Sequence, residues 1–442
     1  MYRPIDAVEV RIWGATVGAV SLDPKLGYYA FEYDPRFVST GIELSPLTMR
    51  LAREPFVFPG LPEQTFHRLP ALVADALPDR FGNALVTAYL QREGVRASDI
   101  TPLDRLAYMG KRGFGALEFR PAIGPRAYTP TALDLGELVE TARKALAGDF
   151  DTRAHAEAAL ANLIRVGTSA GGARAKAAIG WNSATGEIRA GQFDLPPGFE
   201  HWLLKFDGMG DDLELGASEH YGRIEFAYSR MAAAAGIDIS ECTLFEEHGR
   251  AHFMTRRFDR DGNRKHHMQT LCAMAHLDFN QLATHDYAQW FMTAVELGLG
   301  DEALHQVLVR TAFNVMAANC DDHTKNVAFL LREGGSRLAE AGRTQASEGG
   351  AWELAPAYDV THAFHSRGRW THQHLMSVNG VFSGVSRRDL LTLADRFGVP
   401  GAREVLDRVA SAVANWPAFA AIAGLPAEEA ARVERDLQPR LA

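Results

Sequence analysis

The stretch NCDDHTKNVAFL, residues 319–330, places two aspartates, a histidine, a lysine and two asparagines in eight positions and then turns apolar. Before it, apolar residues from Leu304 to Met316 recur with the period of a helix that ends near Asn319. After it, VAFLL is typical of a short strand with both faces covered. The polar cluster is therefore predicted to be a loop held at both ends by buried elements, which gives the rigidity that a catalytic group requires.

The spacing within this loop indicates phosphoryl transfer. Asp321 and Asn326 stand in the pattern Asp-x-x-x-x-Asn, with which kinases orient the attacking hydroxyl and bind magnesium. A second magnesium ligand is expected at the end of a later strand, and Asp359 follows the apolar run in ELAPAYDV. The sequence therefore predicts Asp321 as the catalytic carboxylate, with Asn326 and Asp359 holding magnesium.

Other polar residues of the loop allow more than one role. We expect His323 to form hydrogen bonds beside the magnesium ligands, and Asp322 to be a surface charge or a loop cap. Lys325 either neutralises the transferred phosphate or is exposed to solvent. A metal hydrolase is the alternative interpretation, although no His-Glu-x-x-His or other specific zinc spacing supports it. Its ligands would be Asp321, His323, Asp359, His362 and His365.

The stretch HWLLKFD, residues 201–207, predicts an apolar strand that contains a lysine. A buried ammonium group needs a counter-charge, so we expect Lys205 to reach the phosphates of ATP. Glu225, in the predicted helix RIEFAYSRM, would steady it as in kinases; otherwise Lys205 points to solvent from a half-exposed strand. The segment RRFDR follows a predicted hairpin, where a kinase hinge contacts adenine and ribose. Its candidate nucleotide contacts are Arg257, Phe258 and Asp259.

The glycine-rich stretch GTSAGGARAK, residues 167–176, matches neither common phosphate-binding pattern. Ala173 replaces the lysine of a Walker A motif, and Ser169 interrupts the Gly-x-Gly-x-x-Gly of protein kinases. What remains is a run of backbone N–H groups that can bend around phosphate oxygens, or else an ordinary flexible turn. The residues that would cover the phosphates are Ser169, Ala170, Gly171, Gly172, Ala173, Arg174 and Lys176.

The composition indicates a folded protein of two or three domains, with 442 residues and 47% apolar content. No apolar run approaches the roughly 18 residues that span a bilayer, and the first residues lack a secretion signal, so a cytoplasmic location is expected. The three cysteines form no Cys-x-x-Cys pair, which argues against a disulfide framework. A net charge of −9 repels a phosphate backbone, so direct binding to nucleic acid is not expected.

The order of these patterns predicts an α/β (α+β) fold in three parts. A β-rich N-terminal module covers 1–127, and the core that follows is two-lobed and protein-kinase-like. The N-lobe, 128–262, would contain helices at 135–147 and 152–164, the glycine-rich stretch and the lysine strand. The mostly helical C-lobe, 263–442, would contain the catalytic loop, and the Gly/Ser-rich stretch 332–350 would connect two strands.

Taken in order, the motifs resemble those of the HipA family, the kinase toxins of bacterial toxin–antitoxin pairs. RIWGATVGAVSL, LPALVADALPDRFG and GFGALEFRP resemble the N-terminal module that this family carries before its kinase core. TSAGGARAKA, LLKFD, RRFDR, NCDDHTKN and LAPAYDV resemble the successive motifs of the core, over nearly the full length of the chain.

The resemblance implies a serine/threonine protein kinase that uses ATP and Mg²⁺, with the site residues given above. It places the autophosphorylated serine of the family at Ser169, or on the adjacent Thr168, and this modification would switch the enzyme off. The implied substrate is a protein such as an aminoacyl-tRNA synthetase, and the implied partner is a small helix-turn-helix antitoxin, HipB-like, that binds DNA. A small-molecule phosphotransferase and a non-catalytic antitoxin-binding co-repressor are the alternatives.

Overall fold

The computed structural model describes residues 4–124, 176–207, 220–247, 249–334 and 352–440. Three predictions lie outside the described residues: the helices at 135–147 and 152–164, the glycine-rich stretch up to residue 175, and most of the connection 332–350. The prediction that Ser169 or Thr168 is modified lies outside them as well.

The chain folds into two compact units, each assembled from segments that are distant in sequence. The first unit takes its residues from 1–204, 256–276 and 329–352, and the second from 205–255, 277–328 and 353–442. The predicted domain boundaries near residues 127 and 262 stay a prediction.

A four-stranded antiparallel sheet begins the first unit. Its strands are Ala7–Ile12, Ala15–Asp23, Tyr28–Tyr33 and Glu118–Arg120, and in space the first lies between the second and the fourth. Trp13 and Gly14 form the first turn with φ of 47° and 81°, the conformation that suits a two-residue hairpin. Alternate residues of the first strand are buried, so one face of the sheet covers a core. The predicted β-rich N-terminal region is confirmed.

The rest of the first unit contains short helices and small sheets. The helices are Pro35–Val38, Glu63–Phe66, Ala71–Ala74, Arg80–Arg92, Pro102–Met109 and Leu271–Met274, with a 3-10 turn at Ala97–Asp99. Strand Lys176–Trp181 lies between Ile188–Ala190 and Glu200–Lys205. Strand Ala328–Leu331 lies between His267–Thr270 and Trp352–Leu354, and Arg260–Asp261 pairs with Arg264–Lys265.

The second unit is mostly helical. Its helices are Tyr221–Ala234, Tyr287–Glu296, Asp301–Met316, Arg387–Arg396, Ala402–Ala414, Trp416–Ile422 and Ala427–Leu437, with 3-10 turns at Thr324–Asn326 and Gln438–Arg440. The antiparallel hairpin of Cys242–Glu247 with Arg250–Arg256 and the parallel pair of His285–Asp286 with Met376–Ser377 complete it. The predicted helical C-terminal region is confirmed. None of the described helices is long and apolar enough to cross a membrane.

Helix Tyr221–Ala234 packs closely on the hairpin of the second unit. A Cβ atom at Gly222 would overlap the carbonyl oxygen of Ala251, so only glycine permits this approach. Glu225, one turn further along the helix, is 2% exposed, and its side chain is directed into the interior of the unit.

Candidate active site

Lys205 ends the strand Glu200–Lys205, and two carboxylates hold its ammonium group. Nζ lies 2.5 Å from Oε1 of Glu225 and also contacts Oδ1 of Asp359. The Lys205 side chain is 11% exposed, so it does not point to solvent. Burial acts to lower the pKa of Lys205, but attraction by Asp359 and Glu225 outweighs it and raises this pKa above its usual value. The lysine therefore remains a cation inside the unit.

Asp359 occupies a backbone conformation that non-glycine residues rarely adopt. Its φ is 53°, and such a conformation persists only where the surrounding structure fixes it. The hydroxyl of the preceding residue, Tyr358, donates a hydrogen bond of 2.7 Å to the carbonyl oxygen of Lys325. The segment that carries Asp359 is thus attached to the loop that contains Asp321.

The loop 319–326 leaves helix Asp301–Met316 and is fixed at both ends. Ala318 has a φ of 52°, and Cys320 donates its N–H to the carbonyl oxygen of Ala363 at 3.0 Å. At the other end, the hydroxyl of Thr324 donates to the carbonyl oxygen of Leu277 at 2.7 Å, just before strand Ala328–Leu331. The loop therefore lies between two buried elements, as the sequence predicted.

Within the loop, Asn326 is bonded to the backbone of Asp321. Its Nδ2 donates to the Asp321 carbonyl oxygen at 2.7 Å, whereas the Asp321 side chain is 50% exposed. His323 has its Nε2 3.8 Å from Oδ1 of Asp321, beyond hydrogen-bonding distance, and its ring lies beside Phe279. The ammonium group of Lys325 lies 5.0 Å from the centre of the same ring. The Asp321 carboxylate is thus accessible to a substrate, and the roles of His323 and Lys325 stay predictions.

Asp322 is buried, so the prediction that it is a surface charge is wrong. It is 2% exposed, and its carboxylate accepts hydrogen bonds from the hydroxyl of Tyr287 at 2.6 Å and the N–H of Leu375 at 2.7 Å. Nδ1 of His374 lies 2.8 Å away. Burial acts to lower the pKa of His374, but the charge of Asp322 outweighs it and raises this pKa. Asp322 and His374 therefore form a buried ion pair next to Asp321.

Arg440 belongs to the same buried network, although no pattern in the sequence pointed to it. Its guanidinium donates to the carbonyl oxygen of Val315 at 3.3 Å and lies 3.8 Å from Sγ of Cys320. It is also 3.4 Å from Nε2 of His374 and packs over the ring of Phe364. The turn Gln438–Arg440 is thus connected to residues on both sides of Asp321.

Those of the remaining predicted nucleotide contacts that the structure describes lie in the first unit. Asp259 is 1% exposed, and its carboxylate is 2.7 Å from the guanidinium groups of both Arg257 and Arg260. Burial acts to raise the pKa of Asp259, but the two arginines hold it far below its usual value. Lys176 is likewise buried, with Nζ 3.5 Å from Oδ2 of Asp79. These side chains already have partners within the unit, and their contact with a nucleotide, like that of half-buried Phe258, stays a prediction.

Of the histidines proposed as zinc ligands, His323 lies near Asp321, but His362 is bound to a different carboxylate. Nε2 of His362 lies 3.1 Å from Asp436, and His365 is exposed on a separate loop. Among the residues that the structure describes, no group of three or more His, Cys, Asp and Glu side chains could hold a metal ion. The geometry therefore does not support the metal hydrolase.

Comparison with known families defines the class of the protein. Residues 8–120 match the family model of the HipA N-terminal domain, and residues 168–416 match that of the HipA-like C-terminal domain. The match to the N-terminal domain thus precedes the match to the C-terminal domain along the chain. Because the second match alone covers more than half of the sequence, the chain belongs to the HipA family, and the resemblance seen in the motifs is confirmed.

The fold is similar to that of HipA from Shewanella oneidensis MR-1, solved as a toxin–antitoxin complex with HipB and its operator DNA. The TM-score is 0.64 at 16% sequence identity, over 98% of this chain and 95% of that chain. The Helicobacter pylori proinflammatory kinase CtkA gives a TM-score of 0.35 at 12% identity, over 55% of this chain and 86% of that chain. The first likeness confirms the fold, and the second is too weak to carry an argument. No curated protein matches the chain.

Proposed function

We propose that this chain is a HipA-type toxin kinase that transfers the γ-phosphoryl group of ATP to a serine or threonine of a protein. The observation that carries the proposal is the ion pair of Lys205 with Glu225 and Asp359, which is linked through Tyr358 to the loop of Asp321. Kinases bind nucleotide phosphates with a similar arrangement. In it, a glutamate from a helix holds a buried lysine, and an aspartate that follows a strand lies beside them.

Asp321 has the properties of the carboxylate that receives the acceptor. Its backbone is fixed by Asn326, while its side chain is half exposed and can accept a hydrogen bond from a serine or threonine hydroxyl. In the reaction, a bond forms between the hydroxyl oxygen and the γ-phosphorus, the bond to ADP breaks, and the hydroxyl proton passes to Asp321. Lys325, in the same loop, would neutralise the transferred phosphoryl group.

The residues present fit magnesium. Asn326 uses Nδ2 in its bond to Asp321, which leaves Oδ1 as a ligand, and Asp359 contributes a carboxylate. Oxygen donors of this kind suit a hard divalent cation that also keeps water and phosphate ligands. When bound, Mg²⁺ neutralises charge on the phosphates of ATP. Asn326 and Asp359 would hold it, while Lys205 would bind the phosphates.

Membership of the HipA family supports the rest of the proposal. The substrate would be a protein of translation, such as an aminoacyl-tRNA synthetase, and phosphorylation of Ser169 would switch the kinase off, because about two added negative charges repel bound triphosphate. The Shewanella HipA was solved with HipB and operator DNA, which supports a HipB-like antitoxin as the partner of this chain.

Replacement of Asp321 tests the function. We expect Asp321→Asn to lower the rate of protein phosphorylation by about 10²–10⁴-fold, because the variant cannot take the hydroxyl proton. The assay follows transfer of label from γ-labelled ATP to protein in a cell lysate, with calorimetry to show that ATP still binds. Asp395→Asn, an exposed residue of helix Arg387–Arg396, is the matched control and should retain full activity. Full activity of Asp321→Asn would refute the proposal, and label found only in small molecules would indicate a different acceptor.

A further inference from the structure

A loop of residues 364–373, FHSRGRWTHQ, is attached at both ends to the residues that flank Asp321. At its start, Ala363 donates its N–H to the carbonyl oxygen of Ala318 at 3.1 Å and accepts the N–H of Cys320 at 3.0 Å. Directly after its end, His374 and Leu375 bind the carboxylate of Asp322. The loop, which we name the cationic loop, is therefore anchored to the chain on both sides of Asp321.

Hydrogen bonds within the cationic loop give it a defined shape. Gly368 donates its N–H to the carbonyl oxygen of His365 at 2.8 Å, and His365 donates to that of Thr371 at 3.3 Å. Nδ1 of His372 lies 2.9 Å from the carbonyl oxygen of Gly368. The backbone is thus braced from within, and its exposed side chains project from defined backbone positions.

The cationic loop is a positive surface on an acidic protein. Arg367, Arg369, His365 and His372 are exposed, and residues 360–388 contain no Asp or Glu, although the chain has 55 acidic residues. Arg369 lies 5.5 Å from the ring centre of Trp370. Within the part of the chain that the structure describes, neither arginine forms an ion pair with a carboxylate. The described part of the chain therefore leaves both guanidinium groups open to a partner.

We propose that the cationic loop binds an acidic segment of the protein substrate beside the acceptor serine or threonine. This inference rests on the proposed kinase function. Because the loop is attached on both sides of Asp321, the polypeptide next to the phosphorylated residue is the part of the proposed substrate that can reach it. Guanidinium groups pair with carboxylates with good geometry, whereas lysines at the same positions of a substrate would be repelled.

Three synthetic peptides test the charge preference. They share one serine in the same Ala/Gly sequence and differ only in flanking residues, which are Glu, Gln or Lys. With labelled ATP at low ionic strength, we expect KM for the Glu peptide to be about tenfold below that for the Gln peptide, the effect of two exposed ion pairs. The preference should disappear in Arg367→Gln/Arg369→Gln and at high salt, where exposed charges are screened.

The control variant Arg230→Gln/Arg435→Gln removes the same charge from exposed positions on two helices of the same unit. This control variant should keep the full preference for the Glu peptide. If the preference depended only on the net charge of the protein, the control variant would lose it as well. Direct binding of a fluorescent Glu peptide, measured by anisotropy, gives an independent readout that needs no catalysis. We expect its Kd to rise about tenfold in the Arg367/Arg369 variant and to stay unchanged in the control.

The outcomes separate this inference from the proposed function. The inference fails if the wild type phosphorylates all three peptides alike, or if it binds the Glu peptide no better than the Arg367/Arg369 variant does. In either case the cationic loop does not bind acidic substrate, but the kinase function stands. If the wild type labels neither the peptides nor any protein of the lysate, but anisotropy shows the expected loss, the kinase function fails and the surface remains. Loss of binding to a short RNA probe in the variant, without any peptide preference, would overturn the inference in favour of a nucleic-acid surface.

Discussion

Asp321 and Asp322 have identical side chains in opposite environments. The Asp321 carboxylate is half exposed, whereas Asp322 is 2% exposed and accepts three hydrogen bonds. A buried carboxylate of this kind cannot receive a substrate, but it can fix the backbone of its neighbour. Asp322 therefore fixes the loop, whereas in the proposed reaction Asp321 would receive the acceptor.

The ion pair of Asp322 with His374 predicts a pH-dependent stability. A histidine whose pKa is raised on folding contributes stability in full below its unfolded pKa of about 6.5, and the contribution is lost as pH rises towards the folded pKa. Asp322 raises the pKa of His374, so Asp322→Asn removes this contribution. We expect the variant to be about 2 kcal/mol less stable than the wild type at pH 6, with a smaller difference at each higher pH.

Urea unfolding at pH 6, 7.5 and 9, followed by tryptophan fluorescence, measures that difference. Asp395→Asn serves as the control, since an exposed aspartate should give no difference beyond about 0.5 kcal/mol at any pH. A difference between wild type and Asp322→Asn that grows with pH would show that His374 is not the group responsible.

At the scale of elements, the turn Gln438–Arg440, at the end of the described chain, contacts the loop that contains Asp321. Arg440 contacts Val315, Cys320 and His374, which lie before and beside Asp321. We expect Arg440→Ala to lower kcat about tenfold, because small displacements of a catalytic group reduce the rate. KM for ATP should change little, since Lys205 lies elsewhere in the unit.

Steady-state kinetics of Arg440→Ala and Arg440→Lys test this role. The lysine variant keeps the positive charge and should recover part of kcat, whereas Arg435→Ala, an exposed residue of helix Ala427–Leu437, should behave like the wild type. If kcat is unchanged in Arg440→Ala, and circular dichroism shows that the variant is folded, the turn does not position Asp321.

The elements that could be predicted from the sequence are those with local signals. Helix Asp301–Met316, the polar loop and strand Ala328–Leu331 follow from apolar periodicity and from a run of buried residues. The short helices, such as Glu63–Phe66, carry too few residues to show a period. The prediction of Lys205 beside Glu225 relied on a motif, because no local pattern joins a strand to a helix twenty positions later.

The residues missed were those whose partners are distant in sequence. Asp322 is buried because Tyr287, His374 and Leu375 surround it, and these lie more than thirty positions away on either side. Local polarity alone made a surface charge the natural expectation, since an isolated carboxylate is costly to bury. Arg440 is a similar case, because a basic residue after an amphipathic helix is normally solvated.

At the scale of the whole molecule, the net charge determines whether the proposed toxin can bind DNA directly. The chain has a formal net charge of −9, which repels a phosphate backbone. We expect the chain alone to show no binding to an operator duplex at about 0.1 M salt, and the complex with its HipB-like antitoxin to bind through the antitoxin. Anisotropy of a labelled duplex, titrated with the chain, the antitoxin and the complex, measures this. The cationic loop is a locally positive region of this acidic chain, so the variant Arg367→Gln/Arg369→Gln is included in the same titration. If the wild type binds the duplex with a submicromolar Kd and this variant does not, the local positive charge overcomes the net charge.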